Sequence, residues 1–174
     1  AEDRDLFHTL IEHIPDSIYF KNRESRFVLA NTATANKLGV PTPADLTGRT
    51  DDYFFDQTMS DISRKEEMDI MVTGRPIRAR LHHETWLHKD DSWSQISKFP
   101  WYGRNGELKG IVGISSDVTK LVKTEIKATE TARILEERNR TLEKEIDLAR
   151  EIQFALLPYE IPCLLYTSPS PRDV

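Results

Sequence analysis

The side chains best suited to chemistry crowd into one short stretch. His82, His83 and His88 lie close to Asp90 and Asp91, residue types that ligate divalent metals. The stretch reads as the end of a β-strand, where neighbouring side chains point to opposite faces. His82 and His83 therefore cannot easily share one ion; a solvated strand end is the plainer reading, and no metal is expected. Arg78 and Arg80 are placed on one face of the same strand, opposite Ile77, Ala79 and Leu81. They could clamp a carboxylate or simply form an exposed basic face. The single cysteine, Cys163, excludes an internal disulfide and a cysteine-based zinc cluster. No glycine-rich loop is available to cradle a phosphate, and no histidine follows His88. A helix after Asp117 therefore cannot accept a phosphoryl group on histidine. No catalysis is expected from these residues.

The elements that would position them follow from punctuation and periodicity. All seven glycines lie between Gly39 and Gly113, and from Ile114 to Leu157 there is neither Gly nor Pro. That uninterrupted stretch, rich in Glu, Lys, Arg, Leu and Ala, predicts one long helix. Upstream, Leu6, Leu10, Ile11 and Ile14 predict an amphipathic helix over 5–14, broken by Pro15. Runs at 17–21 and 26–30 predict a β-hairpin. Asn31 caps a short helix to Leu38, closed by Gly39, and Thr42-Pro43 starts another helical turn. A third helix is expected over 56–72, then strands over 77–84, 93–100 and 108–116, the last two joined by Asn105-Gly106. Two strands, short helices and three more strands imply an α+β domain: a five-stranded antiparallel sheet with helices on one face. The expected division is an N-terminal helix over 1–14, a compact domain over 15–119, a helix over 120–157 and a tail over 158–174.

Composition agrees. The 174 residues carry 24 Lys+Arg against 29 Asp+Glu, a net charge of −5, with 38% apolar and 30% charged residues. This suits one domain with a charged appendage. The acidic balance leaves no electrostatic footprint for nucleic acid. No apolar run approaches the ~18 residues that would span a membrane, so a cytoplasmic protein without a membrane partner is expected. The chain opens on Ala1 rather than Met and is read as a fragment.

The long helix carries a heptad. With d at Leu121, Ala128, Leu135, Leu142, Ala149 and Leu156, every d position is apolar, while a holds Glu125, Ala132, Asn139, Ile146 and Gln153. A lone Asn at a fixes register in parallel dimers. In a parallel homodimer Arg138 would face Glu143 of a second copy, and Glu145 would face Arg150, both opposite in sign. The alternative is a solitary solvated helix stabilised by i,i+4 charge pairs.

Whole phrases resemble the PAS domains of bacterial signalling proteins. These are Ile14-Pro15-Asp16-Ser17-Ile18-Tyr19-Phe20-Lys21, Phe27-Val28-Leu29-Ala30-Asn31 and Leu46-Thr47-Gly48-Arg49-Thr50-Asp51. Lys98-Phe99-Pro100, Gly110-Ile111-Val112-Gly113-Ile114 and the closing Asp117-Val118-Thr119 complete the set. The resemblance covers 5–119 and implies a sensor with any ligand held between sheet and helices, and with Asp117 and Thr119 in signal transmission. A flavin adduct would need a reactive cysteine near the third helix and is excluded. Haem would need an axial histidine there, and none is present. A small organic molecule or anion is left open. Expected walls are Tyr19, Phe27, Leu29, Leu38, Tyr53, Phe54, Met68, Met71, Ile96 and Ile114, with an ordinary filled core as the alternative. Trp86, Trp93, Trp101 and Tyr102 are expected to form a partner-facing patch.

Further on, Leu148-Ala149-Arg150-Glu151-Ile152-Gln153 and Leu156-Leu157-Pro158 resemble the lead-in to metal-dependent serine/threonine phosphatases of the bacterial sporulation and stress-response type. This resemblance implies an effector following in cis. The aspartates of a two-metal phosphatase are not in this chain, and the tail from about Cys163 resembles vector-derived sequence. The expected function is a sensory and dimerisation module controlling that effector through a parallel coiled coil. The alternatives are a ligand-free dimerisation scaffold and a sensor for another effector such as a diguanylate cyclase.

Overall fold

The computed structural model describes residues 2–156; the expected tail, Cys163 and the Leu157-Pro158 part of the phosphatase-like phrase lie outside them. The chain divides into two compact units, up to Glu125 and from Ile126 onward.

In the first unit, helix α1 (Glu2–His13) precedes strands β1 (Ser17–Asn22) and β2 (Phe27–Ala30). Helix α2 (Thr32–Leu38), two 3₁₀ turns (Pro43–Leu46 and Asp51–Tyr53) and helix α3 (Gln57–Thr73) follow. Strands β3 (Ile77–Glu84), β4 (Ser92–Tyr102) and β5 (Leu108–Asp117) complete the sheet. Its order is β2-β1-β5-β4-β3, with every pair antiparallel. This is the expected α+β PAS fold. Strand β4 runs through Pro100 because β3 pairs no further than Lys98; the missing N–H therefore faces no neighbour, and Pro100 pairs only with Ile111 of β5.

Asn31 holds the first half together. Its side-chain oxygen accepts from Thr34 N and Ile18 N, each at 3.0 Å, and its amide donates to the carbonyls of Ile11 (2.8 Å) and Asp16 (2.9 Å). One fully buried amide thus caps α2 and ties α1 to β1. At the C-terminal end of α3, Gly74 adopts φ +70°, the left-handed conformation that a helix C-cap requires.

The helix-facing side of the sheet packs Phe27, Ala30, Leu46, Phe54, Phe55, Met59 and Trp86 into one core. The other side carries Phe20, stacked edge-on between Phe7 of α1 (6.3 Å) and Trp101 (5.3 Å). The expected aromatic patch is therefore dispersed. Trp86 is buried 4.2 Å from Phe55, Trp93 stacks on His83, Trp101 packs on Phe20, and of the four Tyr102 is exposed. Trp93 and Trp101, eight residues apart on β4, share a face, while Trp86 lies beyond the end of β3 and joins the core.

Helix α4 (Thr119–Leu156) leaves Asp117 and runs into the second unit. None of its residues is buried. Among the described residues no helix is long and apolar enough to cross a membrane.

Candidate ligand site: a charged cavity between sheet and helices

Strand parity builds the site. With Tyr19 turned toward the helices, Ser17 and Lys21 must turn the same way; with Ile96 inward, Ser94 and Lys98 follow. A bulge in β3, where a three-residue step from Ile77 to Arg80 is matched by a two-residue step from Lys98 to Ile96, brings Arg80, His82 and Glu84 to that face. Ala79 takes φ +48° at this bulge. Helix α3 contributes Met59, Ser63, Glu66 and Glu67, a stripe at helical spacing.

These polar residues pair in two clusters, with Glu67 Oε2 left without a hydrogen-bond partner among the described residues. Lys21 Nζ donates to Asp51 Oδ2 (2.7 Å) and Glu67 Oε1 (2.6 Å), with 1% of the lysine side chain and none of the Glu67 side chain exposed. Lys98 Nζ donates to Ser63 Oγ (3.0 Å) and Glu66 Oε2 (3.1 Å), and Glu66 Oε1 binds Arg80 Nη1 (2.8 Å) and His82 Nε2 (3.1 Å). In the second cluster Lys37 Nζ donates to Glu84 Oε1 (2.7 Å), Ser94 Oγ (2.8 Å) and Ser115 Oγ (2.7 Å). The other Glu84 oxygen accepts from Ser92 (2.9 Å) and Ser94 (2.8 Å).

Electrostatics follow from these contacts. Burial works against the Lys21 ammonium, yet the charges and hydrogen bonds of Asp51 and Glu67 outweigh it and raise its pKa. Burial likewise opposes ionisation of Asp51, but Lys21 holds it below the usual carboxylate range. Glu66 is lowered to about 2: the His82 hydrogen bond and the Lys98 charge overcome its burial. Tyr19 is pushed well above the ordinary phenol value by burial and then by Glu67, so its hydroxyl stays un-ionised.

The two clusters border a cavity of about 40 Å³, lined by Ser17, Tyr19, Phe27, Thr34, Lys37, Leu38, Asp51, Phe55, Met59, Ser63, Glu84, Ile96, Lys98 and Ser115. Its lining holds neither cysteine nor histidine. Tyr19, Phe27, Leu38 and Ile96 stand where the sequence places them. The other six expected wall residues do not line it. Leu29 pairs with Phe20, and Ile114 with Ile18 and Ser97, on the opposite face of the sheet. Tyr53 and Met68 are exposed, Phe54 is core behind Phe27 (6.3 Å), and Met71 is half-buried elsewhere on α3. Sequence reasoning overlooked the polar half of the wall. Lys21 within an apolar strand, and the Glu66-Glu67 pair in α3, were the available signals.

Two further expectations need correction. His82 is buried against Glu66, not solvated, while His83 faces the other way toward Trp93 and Asp91 (3.2 Å). No metal-holding group is found among the described residues. Arg78 and Arg80 do not share a face: the bulge separates them, leaving Arg78 over the Phe99 ring at 5.2 Å and Arg80 on Glu66.

At the end of β5, Ser115 touches the cavity, and Asp117 Oδ1 accepts from Thr119 N (2.8 Å). Thr119 Oγ1 accepts from Trp93 N on β4 (2.9 Å). On α4, the expected interface residues Leu121, Ala128, Leu135, Asn139, Leu142, Ile146, Ala149 and Leu156 are all exposed, as are Arg138, Glu143, Glu145 and Arg150.

A family model described as PAS fold matches residues 11–123. Among curated relatives, the methanogenesis regulatory histidine kinase FilI of Methanothrix harundinacea is 23% identical over 129 residues, covering 74% of this chain and 14% of that protein. A diguanylate cyclase of Vibrio cholerae is 31% identical over 123 residues, covering 68% of this chain and 37% of that protein. The chain thus spans well under two thirds of either relative. Among solved structures, the VqmA–ligand–DNA complex of Vibrio cholerae aligns with a TM-score of 0.58 at 21% identity, covering 74% of this chain and 57% of that one. That likeness is one of fold.

Proposed function

We propose a sensory role for this chain, which belongs to the PAS-fold family: a small molecule held in the cavity sets the packing of β5, and α4 carries that state onward. The observation behind this reading is Ser115. It lies in the cavity wall, accepts a hydrogen bond from Lys37, and stands two residues before Asp117, where β5 hands over to α4. An occupant that contacts Ser115, or Tyr19 whose ring lies against Gly113, shifts the strand that leads into the helix. That couples ligand to helix when the ligand binds the two arrangements unequally.

Transmission through α4 requires a second copy. The apolar d positions, the lone Asn139 and the opposite charges at Arg138/Glu143 and Glu145/Arg150 support a parallel coiled coil. Sedimentation of the full chain at tens of micromolar should give a dimer, and Leu142→Glu should give a monomer with an unchanged compact domain. A monomeric native chain at high micromolar concentration would remove the transmission scheme.

The effector is proposed to follow in cis. The Leu148–Gln153 and Leu156–Pro158 phrases support a metal-dependent serine/threonine phosphatase, and phosphatase assays with Mn²⁺ on a longer parent chain, continuing natively past Pro158, test it. The two relatives favour a second reading, a kinase or a diguanylate cyclase output, although no histidine lies on α4. The mutual satisfaction of the cavity's charges also favours a ligand-free dimerisation scaffold. Melting temperature against a metabolite panel separates the two, because a specific ligand raises it with concentration and a scaffold shows no response.

A further inference from the structure

We propose that the cavity selects an uncharged molecule of a few heavy atoms bearing an oxygen acceptor: a carboxamide, a ketone or an alcohol. This deepens the sensory reading above and rests on it. Size sets the first limit, since about 40 Å³ holds roughly three water molecules.

Charge sets the second. Two ammonium groups, Lys37 and Lys98, and two carboxylates, Asp51 and Glu84, line the cavity, so the formal charges of the wall cancel. All three Lys37 donors are engaged by Glu84, Ser94 and Ser115. Lys98 is held by Ser63 and Glu66, with Glu67 at 3.8 Å. Both oxygens of Glu84 are occupied. An anionic ligand would shed its hydration, find both ammonium groups already paired, and meet Asp51 and Glu84. A cationic one would meet Lys37 and Lys98. Either must break an existing buried pair to be accommodated, which is strongly unfavourable.

The uncharged part of the wall is less fully satisfied. Among the described residues, the hydroxyls of Tyr19 and Ser17 have no protein hydrogen-bond partner, and both residues line the cavity. Tyr19 is held in its O–H form by burial and by Glu67. It is a donor on a residue of the cavity wall, and a carbonyl or hydroxyl oxygen is its complement. The Tyr19 ring also lies against Gly113 of β5, where a Cβ would collide with it. A molecule bound to this hydroxyl therefore presses on the strand that ends at α4.

Acetamide, acetate and acetamidinium share one shape and differ in charge, and they are the probes. Each is titrated into the full chain at constant ionic strength while the amide NMR signals of Ser17, Tyr19, Gly113 and Ser115 are followed. Acetamide alone should saturate these shifts. Tyr19→Phe should weaken it about fivefold, while Tyr53→Phe, on an exposed ring, should leave it unchanged. Saturation by acetate or acetamidinium at equal or lower concentration overturns the uncharged class and leaves the sensory reading standing. Unchanged affinity in Tyr19→Phe overturns the assignment of the donor. If none of the three saturates, the proposal falls; the sensory reading falls with it only if the metabolite panel also leaves the melting temperature unmoved.

Discussion

In the compact unit, Lys21 and Lys98 are each 1% exposed and sit against carboxylates that are themselves enclosed. In α4 beyond Ile126 nothing is buried, and Leu135, Leu142 and Ile146 stand open to solvent beside Arg138, Glu143 and Glu145. The usual segregation of apolar and charged side chains is reversed in both places. A sheet layered on helices offers enough fixed partners to hold ions away from water. A single helix has partners only at i±3 and i±4, so its apolar stripe waits for another surface. Charge therefore has opposite meanings in the two regions. It organises the interior of one and keeps the other solvated.

The sharpest way to break this contrast is to remove one buried ion. Lys21→Met leaves Asp51 and Glu67 without their shared ammonium and should destabilise the compact unit by about 3–5 kcal/mol in denaturant unfolding. Adding Glu67→Leu should recover part of that loss. A result below about 1 kcal/mol for the single substitution would mean the network contributes little.

Acid should produce the next largest effect. Glu66 is lowered to about 2 in the folded protein against an ordinary 4.5, so the unfolded chain binds more protons between those values. Its contribution is complete above about pH 4.5 and is lost as pH falls through about 2. This amounts to about 3 kcal/mol. Glu66→Gln should flatten that part of the stability–pH curve, at a price in stability near neutral pH.

Gly113→Ala tests close packing rather than charge. The added methyl meets the Tyr19 ring and should cost about 1–3 kcal/mol. Tyr19→Leu in the same chain should relieve much of it.

The smallest effects are expected for ion pairs in water. Arg64–Asp52 is 49% and 40% exposed, and Arg64→Ala should change stability by no more than about 0.5 kcal/mol. On α4, Arg150 lies 3.9 Å from Asp147 with both groups largely exposed. Its removal should not measurably alter the melting of the compact unit. Should these surface changes rival Lys21→Met, the distinction between the two regions would be lost.

Local sequence was enough for the order of elements. Asn31 and Asp56 announce helix starts, Gly39 and Gly74 announce ends, and the breaker-free stretch from Ile114 announces α4; each of these effects acts within a few residues. The sheet followed because two strands, short helices and three strands have few compact arrangements. The cavity wall was half legible. Leu29 and Ile114 were assigned to it by hydrophobicity, although pairing with Phe20 and Ile18 turns them away. The bulge at Ala79 was not legible at all, and it reverses the parity that puts Arg78 and Arg80 together.

Periodicity, capping residues and breakers are short-range quantities, so the chain by itself determined its helices, its strands and the apolar seam of α4. Partnership among Lys21, Asp51, Glu67 and Lys98 is long-range. These residues are separated by as many as 46 positions within a single hydrogen bond, and no local pattern states that they meet. Only the folded sheet and helices brought them within about 4 Å of a partner, where burial makes each charge intolerable without the others. The tertiary structure therefore decided that the candidate site is polar and electrically balanced rather than a greasy slot.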